Sequence, residues 1–311
     1  MLPLIVRRVA SAIPTFIVIV TAAFFLMRSA PGSPFDLATP MTPEARAHLE
    51  RAYGLDQPLW RQYQRYVSGL LRGDLGPSLR SRAFTVAELI RTGLPVSAQL
   101  GLMALVLVIG IGAPLGLWGA LGRASWCDKF VSAGAAFVVV LPTFVSGPVL
   151  GLVLGVYLGW LPVTGWNHGE LRYTLLPAFC LALPYLGVVL RLVRTRAAEV
   201  LDTSYVRTAV AKGLPMTAVL YRHVLPPTLI PVANFLGPAM AGLVVESVVI
   251  EQVFAVPGIG SYFVDGALNR DYPLVMGIVI VYAAILLTMN IVVDVLCAIL
   301  DPRIRIPSGQ M

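Results

Sequence analysis

Residues 96–122 read VSAQLGLMALVLVIGIGAPLGLWGALG and contain no charged side chain. About 20 apolar residues are enough for a helix to cross a lipid bilayer. Because the bilayer interior offers no hydrogen-bond partners, a helix is the open-ended structure in which such a segment satisfies its own backbone. The stretch therefore predicts a membrane-spanning helix.

Five more charge-free stretches are long enough to cross a membrane. They are residues 9–27, 130–157, 173–190, 224–245 and 272–293. Only 13% of the residues are charged, against about 25% in a typical soluble domain. We therefore predict an all-α polytopic membrane protein with six transmembrane helices. A cleaved signal is the alternative for the first stretch, but its apolar run is long and the following MRSAPGSP is a poor cleavage site.

Lysine and arginine collect on one side of the predicted helices. The positive-inside rule places short basic loops in the cytoplasm. With the N-terminus inside, the outer ends hold Arg28, Arg172 and Arg270. The cytoplasmic side then holds Arg7, Arg8, Arg123, Lys129, Arg191, Arg194, Arg196, Arg207, Lys212, Arg222, Arg303 and Arg305. We therefore expect both termini on the cytoplasmic side of the membrane, and the net charge of +7 calls for no nucleic-acid partner.

These helices predict four parts along the chain. An N-terminal transmembrane helix (1–30) precedes a periplasmic loop (31–95). A five-helix core (96–300) carries a cytoplasmic loop at 191–223, and a cytoplasmic tail (301–311) follows.

The periplasmic loop is predicted to contain two short amphipathic helices. The first begins at Thr42 and Pro43 and ends at Gly54, and the second begins near Asp56 and Pro58. The apolar face of the second comprises Leu59, Tyr63, Tyr66, Val67 and Leu70. Such helices lie at the lipid headgroup boundary or dock an external partner, and the sequence leaves both alternatives open.

The chain shows no pattern of catalytic, metal-binding or cofactor-binding residues. Its cysteines and histidines are dispersed: Cys127, Cys180, Cys297, His48, His168 and His223. It has no G-x-x-x-x-G-K-[ST] phosphate loop. Charges inside the membrane are predicted to be confined to Glu246 and Asp294, near helix ends, which argues against a proton-driven pump. We therefore expect a chain that is not an enzyme and itself binds no metal or cofactor.

The loop at 191–223 has the features of a helix, a glycine turn and a second helix. Asp202, Thr203 or Ser204 is placed to cap the first helix, and Gly213 to end it in the left-handed conformation. Pro215 is suited to begin the second helix. An apolar patch of Tyr205, Val206, Ala209 and Val210, ringed by Arg207 and Lys212, is predicted on the surface. A basic loop that merely fixes topology is the alternative.

This loop resembles the coupling motif of the membrane subunits of ABC importers. That motif reads Glu-Ala-Ala, three residues, Gly, nine residues, Ile-x-Leu-Pro. Ala209, Gly213, Leu225 and Pro226 match it at the right spacing, whereas Arg207, Thr208 and His223 depart from it. The departures resemble the form found in the oligopeptide, dipeptide and nickel permease family, and its B-type subunits are similar to almost the whole chain. Segments that carry this similarity include GDLGPSLRSR, VIEQVFAVPGIG, GALNRDYPLV and DPRIRI. Glu246 departs, because the family usually has a small or apolar residue there.

The resemblance implies the permease fold of a type I ABC importer for oligopeptides, in a bacterial inner membrane. A homologous second permease, two ATPases that use ATP and Mg, and a periplasmic peptide-binding protein would be its partners. The implied ATPase-coupling residues are Tyr205, Val206, Arg207, Thr208, Ala209, Lys212, Gly213, Leu214 and Pro215. Dipeptides, nickel chelates and glutathione are alternative substrates, and a stand-alone secondary transporter is the alternative from another class.

A segment after the fifth helix predicts a second site. Pro257 and Gly258 mark a tight turn. With Glu251 and Val256, they are candidates for an outer gate or a contact with the second permease. A turn that only reverses the chain is the alternative.

Overall fold

The computed structural model describes residues 2–29, 42–80, 83–122 and 125–300, and nearly all of these residues are helical. The elements are α1 (Leu2–Ser29), α2 (Pro43–Ala52), α3 (Leu59–Leu71), α4 (Val86–Leu121), α5 (Trp126–Val140), α6 (Thr143–Leu150), α7 (Leu171–Leu201), α8 (Ser204–Ala211), α9 (Met216–Val219), α10 (Leu225–Phe254), α11 (Ile259–Leu268) and α12 (Tyr272–Leu300). The predicted all-α class is confirmed. The predicted tail at 301–311, with Arg303 and Arg305, lies outside the described residues.

Five segments of the described chain are continuous helices long and apolar enough to cross a membrane. They are Ile5–Ser29, Val86–Leu121, Leu171–Leu201, Met216–Phe254 and Tyr272–Val295. Each contains one of the predicted spans.

The third predicted span, residues 130–157, is not one straight helix. Asp128–Val140 and Thr143–Tyr157 meet at an angle of 108°. The break falls at Leu141, which is extended (φ −73°, ψ 115°) because proline at the next position disfavours helical geometry in the residue before it. The chain therefore has six spans only if this bent pair counts as one.

Two helices extend well beyond their apolar cores. α4 begins at Val86, where Thr85 and Glu88 form a capping box: Thr85 Oγ1 accepts from the Glu88 amide at 3.2 Å, and Glu88 Oε2 accepts from the Thr85 amide at 2.7 Å. α7 continues to Leu201, so the first part of the polar loop predicted at 191–223 is helix. Both helices are therefore longer than the charge-free stretches that predicted them, because each continues past an arginine.

α7 lies at the centre of the bundle, packed against α4, α5 and α10. Within its apolar segment 67% of the residues are buried, against 39% in α4. Gly112 and Gly116 let α4 approach closely, since a Cβ at Gly116 would lie 2.6 Å from the carbonyl oxygen of Leu190. Small residues four apart are a common means of close helix packing in lipid.

The two amphipathic helices predicted in the 31–95 loop are present as α2 and α3. The apolar face of α3 packs on α1 of the same chain. The Tyr63 hydroxyl lies 2.8 Å from Thr21 Oγ1, and the Tyr63 and Tyr66 rings lie 5.3 and 5.7 Å from the ring of Phe24. Part of the apolar face of α3 is therefore buried against α1. That part is not available to lipid or to an external partner, the two alternatives that the sequence left open.

Candidate functional site

The loop between α7 and α10 is the predicted helix, glycine turn and helix. α8 ends in a Schellman turn: the Gly213 amide donates to the Val210 carbonyl at 2.9 Å, and the Leu214 amide donates to the Ala209 carbonyl at 3.3 Å. Gly213 has a φ of +78°, which a residue with a Cβ adopts only at a cost. Thr203 occupies the N-cap position, but its hydroxyl donates back to the Val200 carbonyl instead of capping α8.

The second helix of the loop runs directly into the membrane. Pro215 precedes α9, a π-helical turn follows at Leu220–Val224, and α10 continues from there. Met216–Phe254 is therefore one helical segment of 39 residues. No non-helical residue therefore separates the second helix of the loop from α10.

The structure divides the apolar patch predicted on α8. Val206 and Ala209 are 2% and 6% exposed, and they pack with Ala197 and Ala198 of α7 and with Val219 of α9. The prediction that all four apolar residues form a surface is therefore wrong for Val206 and Ala209. The exposed side chains are Tyr205, Arg207, Thr208, Val210 and Lys212.

An ion pair braces α7 near this loop. The Arg194 guanidinium grips Asp128 of α5 with two nitrogens, Nε and Nη2, and Nη2 lies 2.7 Å from Oδ2. Asp128 is 4% exposed. The contact lies about one turn before Ala197 and Ala198, so it stiffens the end of α7 that supports α8. The sequence did not predict this pair, because Asp128 and Arg194 lie just outside the charge-free stretches taken as spans.

The second predicted site, around Glu251, is a buried carboxylate network. Glu251 is fully buried in the last turn of α10. The hydroxyls of Ser97 on α4 and Ser247 on α10 donate to its Oε1 at 2.6 and 2.7 Å. The Ser261 amide donates to its Oε2 at 3.1 Å, and the Ile259 amide donates to Ser97 Oγ at 2.9 Å. The carboxylate thereby ties the first turn of α11 to α4 and α10.

Two glycines make room for this network. A Cβ at Gly260 would lie 2.6 Å from Val248 Cα and 2.8 Å from Glu251 Oε2, and a Cβ at Gly258 would overlap the Glu251 carboxylate. Neither glycine has a positive φ, so free space is what requires them.

These positions correct two predictions. Glu251, Val256 and Gly258 are buried within this chain, so of the four candidate gate residues only Pro257 is on a surface. Charge inside the helices is also not confined to Glu246 and Asp294, because α10 runs on to Phe254 and includes Glu251. Ser247 and Glu251 are four residues apart and so share one helical face. This spacing was the sequence pattern that could have predicted a hydrogen-bonded carboxylate here.

Glu246, Asp294 and Cys180, which the sequence analysis also singled out, belong to neither of these two sites. Glu246 is exposed on α10, and Asp294 pairs with Arg8 of α1, with 2.9 Å between Arg8 Nε and Asp294 Oδ2. Cys180 is a buried free thiol in the core, consistent with a small hydrophobic residue. Among the described residues no group of three histidine, cysteine or acidic side chains could hold a metal ion.

Comparisons with known proteins agree with the resemblance seen in the loop. Residues 112–306 match the family of binding-protein-dependent transport system inner membrane components, and residues 1–81 match the N-terminal model of such components. The oligopeptide transport system permease protein OppB of Haemophilus influenzae is 42% identical over 98% of this chain and 100% of its own length. That of Salmonella typhimurium is 44% identical over the same shares.

A dipeptide transport system permease protein, DppB of Lactococcus lactis, is 39% identical over 98% of this chain and 100% of its own length. A solved amino acid ABC transporter with histidines is 17% identical, with a TM-score of 0.47 over 70% of this chain and 94% of that one, which is too distant to bear on the fold. The matches to transport components, together with the apolar helices, define a multi-pass inner membrane transport subunit that is not an enzyme. The chain belongs to the family of binding-protein-dependent transport system inner membrane components.

Proposed function

We propose that this chain forms half of the translocation pathway of an ATP-driven oligopeptide importer and that α8 docks a cytoplasmic ATPase. The observation that carries the proposal is the two-sided character of α8. One side is locked to α7 and α9 through Val206 and Ala209, and the other exposes Tyr205, Arg207 and Lys212. A helix held in this way moves as a rigid body with the membrane helices behind it.

Force applied to α8 has two routes into the membrane. One passes through Val206 and Ala209 to α7, whose end is braced by the Arg194 and Asp128 ion pair. The other passes through α9 and the π-helical turn into α10. Closure of two ATPases around ATP and Mg would thus shift α7 and α10 against the rest of the bundle.

The other partners follow from the same proposal. A homologous second permease completes the pathway, and a periplasmic binding protein delivers the peptide. Both termini lie in the cytoplasm, as the distribution of basic residues indicates. Oligopeptides are favoured as the substrate because whole-chain relatives at 42% and 44% identity carry that name. Dipeptides are the second candidate, on the strength of the 39% identical relative; nothing in the structure favours nickel chelates or glutathione.

A charge at Gly213 tests the docking role of the loop. A Cβ there meets no atom within 4 Å, so the side chain of Gly213→Asp projects into the space where an ATPase would sit. Assembled with its ATPases, second permease and binding protein in proteoliposomes, the variant should insert normally but lose most peptide uptake and most stimulation of ATP hydrolysis by the loaded binding protein.

Gly159→Asp is the matched control. Gly159 also has a positive φ (+62°) and open space around its Cβ, but it lies in the segment before α7, at the opposite end of that helix from α8. Strain and added charge are therefore the same, and only the location differs. Normal coupling in Gly213→Asp, or equal loss in both variants, would refute docking at α8. Gradient-driven uptake without ATP would support the secondary-transporter alternative instead.

A further inference from the structure

A half-enclosed cavity of about 270 Å³ lies beside the C-terminal end of α1, between α3 and the first turns of α12. Its charged and polar lining includes Arg28, Gln62, Arg65, Tyr66 and Asp74. None of these residues belongs to the coupling loop or to the Glu251 network.

Three side chains that line this cavity each carry a buried atom without a hydrogen-bond partner. The atoms are Arg28 Nε, Gln62 Oε1 and the Tyr66 hydroxyl, and only two other such atoms occur in the described part of the chain. Buried polar groups are almost always paired, with protein or with ordered water. Three such side chains around one cavity therefore point to a polar ligand toward which they turn and which supplies their partners.

The chemistry of these atoms defines the ligand. The cavity carries two arginines and one carboxylate, which favours an anion. Arg28 is held between two rings, with its guanidinium carbon 5.7 Å from the Phe24 centroid and 5.6 Å from the Tyr272 centroid. A guanidinium fixed in this way suits a phosphate.

The two neutral groups add detail to the recognition. Burial raises the pKa of Tyr66, so its hydroxyl stays protonated and available as a donor. Gln62 Nε2 already donates to the carbonyls of Leu55 and Gln57 at 3.1 and 2.7 Å, which leaves its Oε1 as an acceptor. The ligand thus offers an oxyanion and, beside it, a hydrogen-bond donor such as a hydroxyl.

The depth and the size of the cavity identify the source. Arg28 lies at the end of the span Ile5–Ser29, and Tyr63 and Tyr66 of α3 pack on Phe24, one turn before it. Aromatic residues at this position mark the headgroup region of the membrane. The volume is below the roughly 300–1,000 Å³ typical of sites for drug-sized ligands. A lipid headgroup fits it, whereas a peptide of several residues does not.

We propose that this cavity binds the headgroup of an anionic phospholipid of the phosphatidylglycerol type. The phosphate is bound by Arg28 and Tyr66, and a glycerol hydroxyl donates to Gln62 Oε1. Basic pockets between membrane helices bind anionic lipid headgroups on the cytoplasmic side of membranes, and this cavity would do so at the outer end of α1. The bound lipid would fasten α3 to the ends of α1 and α12.

Native mass spectrometry of the purified full-length protein with phosphatidylglycerol tests the site. Loss of one charge-assisted bond to phosphate corresponds to about tenfold weaker binding, and we expect this for Arg28→Gln. Tyr66→Phe keeps the ring packing and should weaken binding less. Arg61→Gln is the control, since Arg61 is exposed on α3 outside the cavity.

Equal lipid binding by the wild type, Arg28→Gln and Tyr66→Phe would overturn the proposal, and Tyr66→Phe keeps the test decisive if Arg28→Gln does not fold. Diacylglycerol, which lacks the phosphate, should not bind to the cavity. Thermal stabilisation of the wild type by inorganic phosphate as strong as that by phosphatidylglycerol would overturn the lipid assignment, because it would show a site for free anions.

Discussion

The ends of α8 and α10 have the same turn but different residues in its left-handed position. After α8 the chain reads Gly213, Leu214, Pro215, and after α10 it reads Ala255, Val256, Pro257. At α10 the Ala255 amide donates to the Gln252 carbonyl at 3.4 Å and the Val256 amide to the Glu251 carbonyl at 2.9 Å, the same pattern as at α8. Ala255 has a φ of +52°, a conformation that costs a residue with a Cβ about 1–2 kcal/mol.

The surroundings account for the difference. No atom lies within 4 Å of a Cβ placed at Gly213, and next to it Leu214 is only partly buried, so this turn depends more on its local sequence. Ala255 is followed by the buried Val256 and preceded by the Glu251 network, which fix the chain direction on both sides. The turn at Gly213, with open space around it, has glycine, whereas the turn at Ala255, fixed by the residues on either side, tolerates a strained alanine.

The largest effect on the turn after α10 is expected from removing the Glu251 carboxylate. Glu251→Leu leaves the Ser97 hydroxyl and the Ser261 amide without their acceptor, whereas the Ser247 hydroxyl can still donate to the Val244 carbonyl, 2.8 Å away. Each buried donor left unpaired costs about 1–3 kcal/mol, so we expect the free energy of unfolding to fall by about 2 kcal/mol or more. Thermal unfolding of the purified protein in detergent measures the loss.

Glu246→Leu serves as the control for this change. Glu246 lies on the same helix but is exposed and is hydrogen-bonded only to the Tyr185 side chain, so its replacement should cost about 0.5–1.5 kcal/mol, less than that of Glu251. If Glu251→Leu were as stable as Glu246→Leu, the network would not be what fixes the α10 turn.

A smaller effect is expected from adding a methyl group inside the network. In Gly260→Ala the new Cβ overlaps Val248 and the Glu251 carboxylate, which should destabilise the fold by about 1–3 kcal/mol. Gly134→Ala is the comparison, because Gly134 lies within helix α5 and a Cβ there meets no atom within 4 Å. That change should be neutral or slightly stabilising. A thermal shift for Gly260→Ala no larger than for Gly134→Ala would contradict the close packing at α11.

The sequence predicts those features that depend only on residues close together in the chain. Apolar length predicts the spans, and Gly213 predicts its own turn because glycine is the usual residue in that conformation. Ala255 gives no such signal, since its conformation is set by contacts with residues distant in the chain. The Glu251 network joins Ser97 to a residue more than 150 positions away, which no local pattern reveals. The burial of Val206 and Ala209 likewise depends on how far α7 extends.

The smallest expected effects have opposite signs at the two turns. Gly213→Ala forces a Cβ into the left-handed conformation and should lower the free energy of unfolding by about 1 kcal/mol, whereas Ala255→Gly relieves the same strain and should raise it by about 1 kcal/mol. Both values are the strain of about 1–2 kcal/mol reduced by the greater freedom of glycine in the unfolded chain, about 0.4–1 kcal/mol. Gly213→Asn should cost less than Gly213→Ala, because asparagine tolerates this conformation. Thermal unfolding of the three variants in one detergent gives the order directly. If Ala255→Gly were destabilising, the strain at Ala255 would be too small to matter, and the Glu251 network would hold a relaxed turn instead of a strained one.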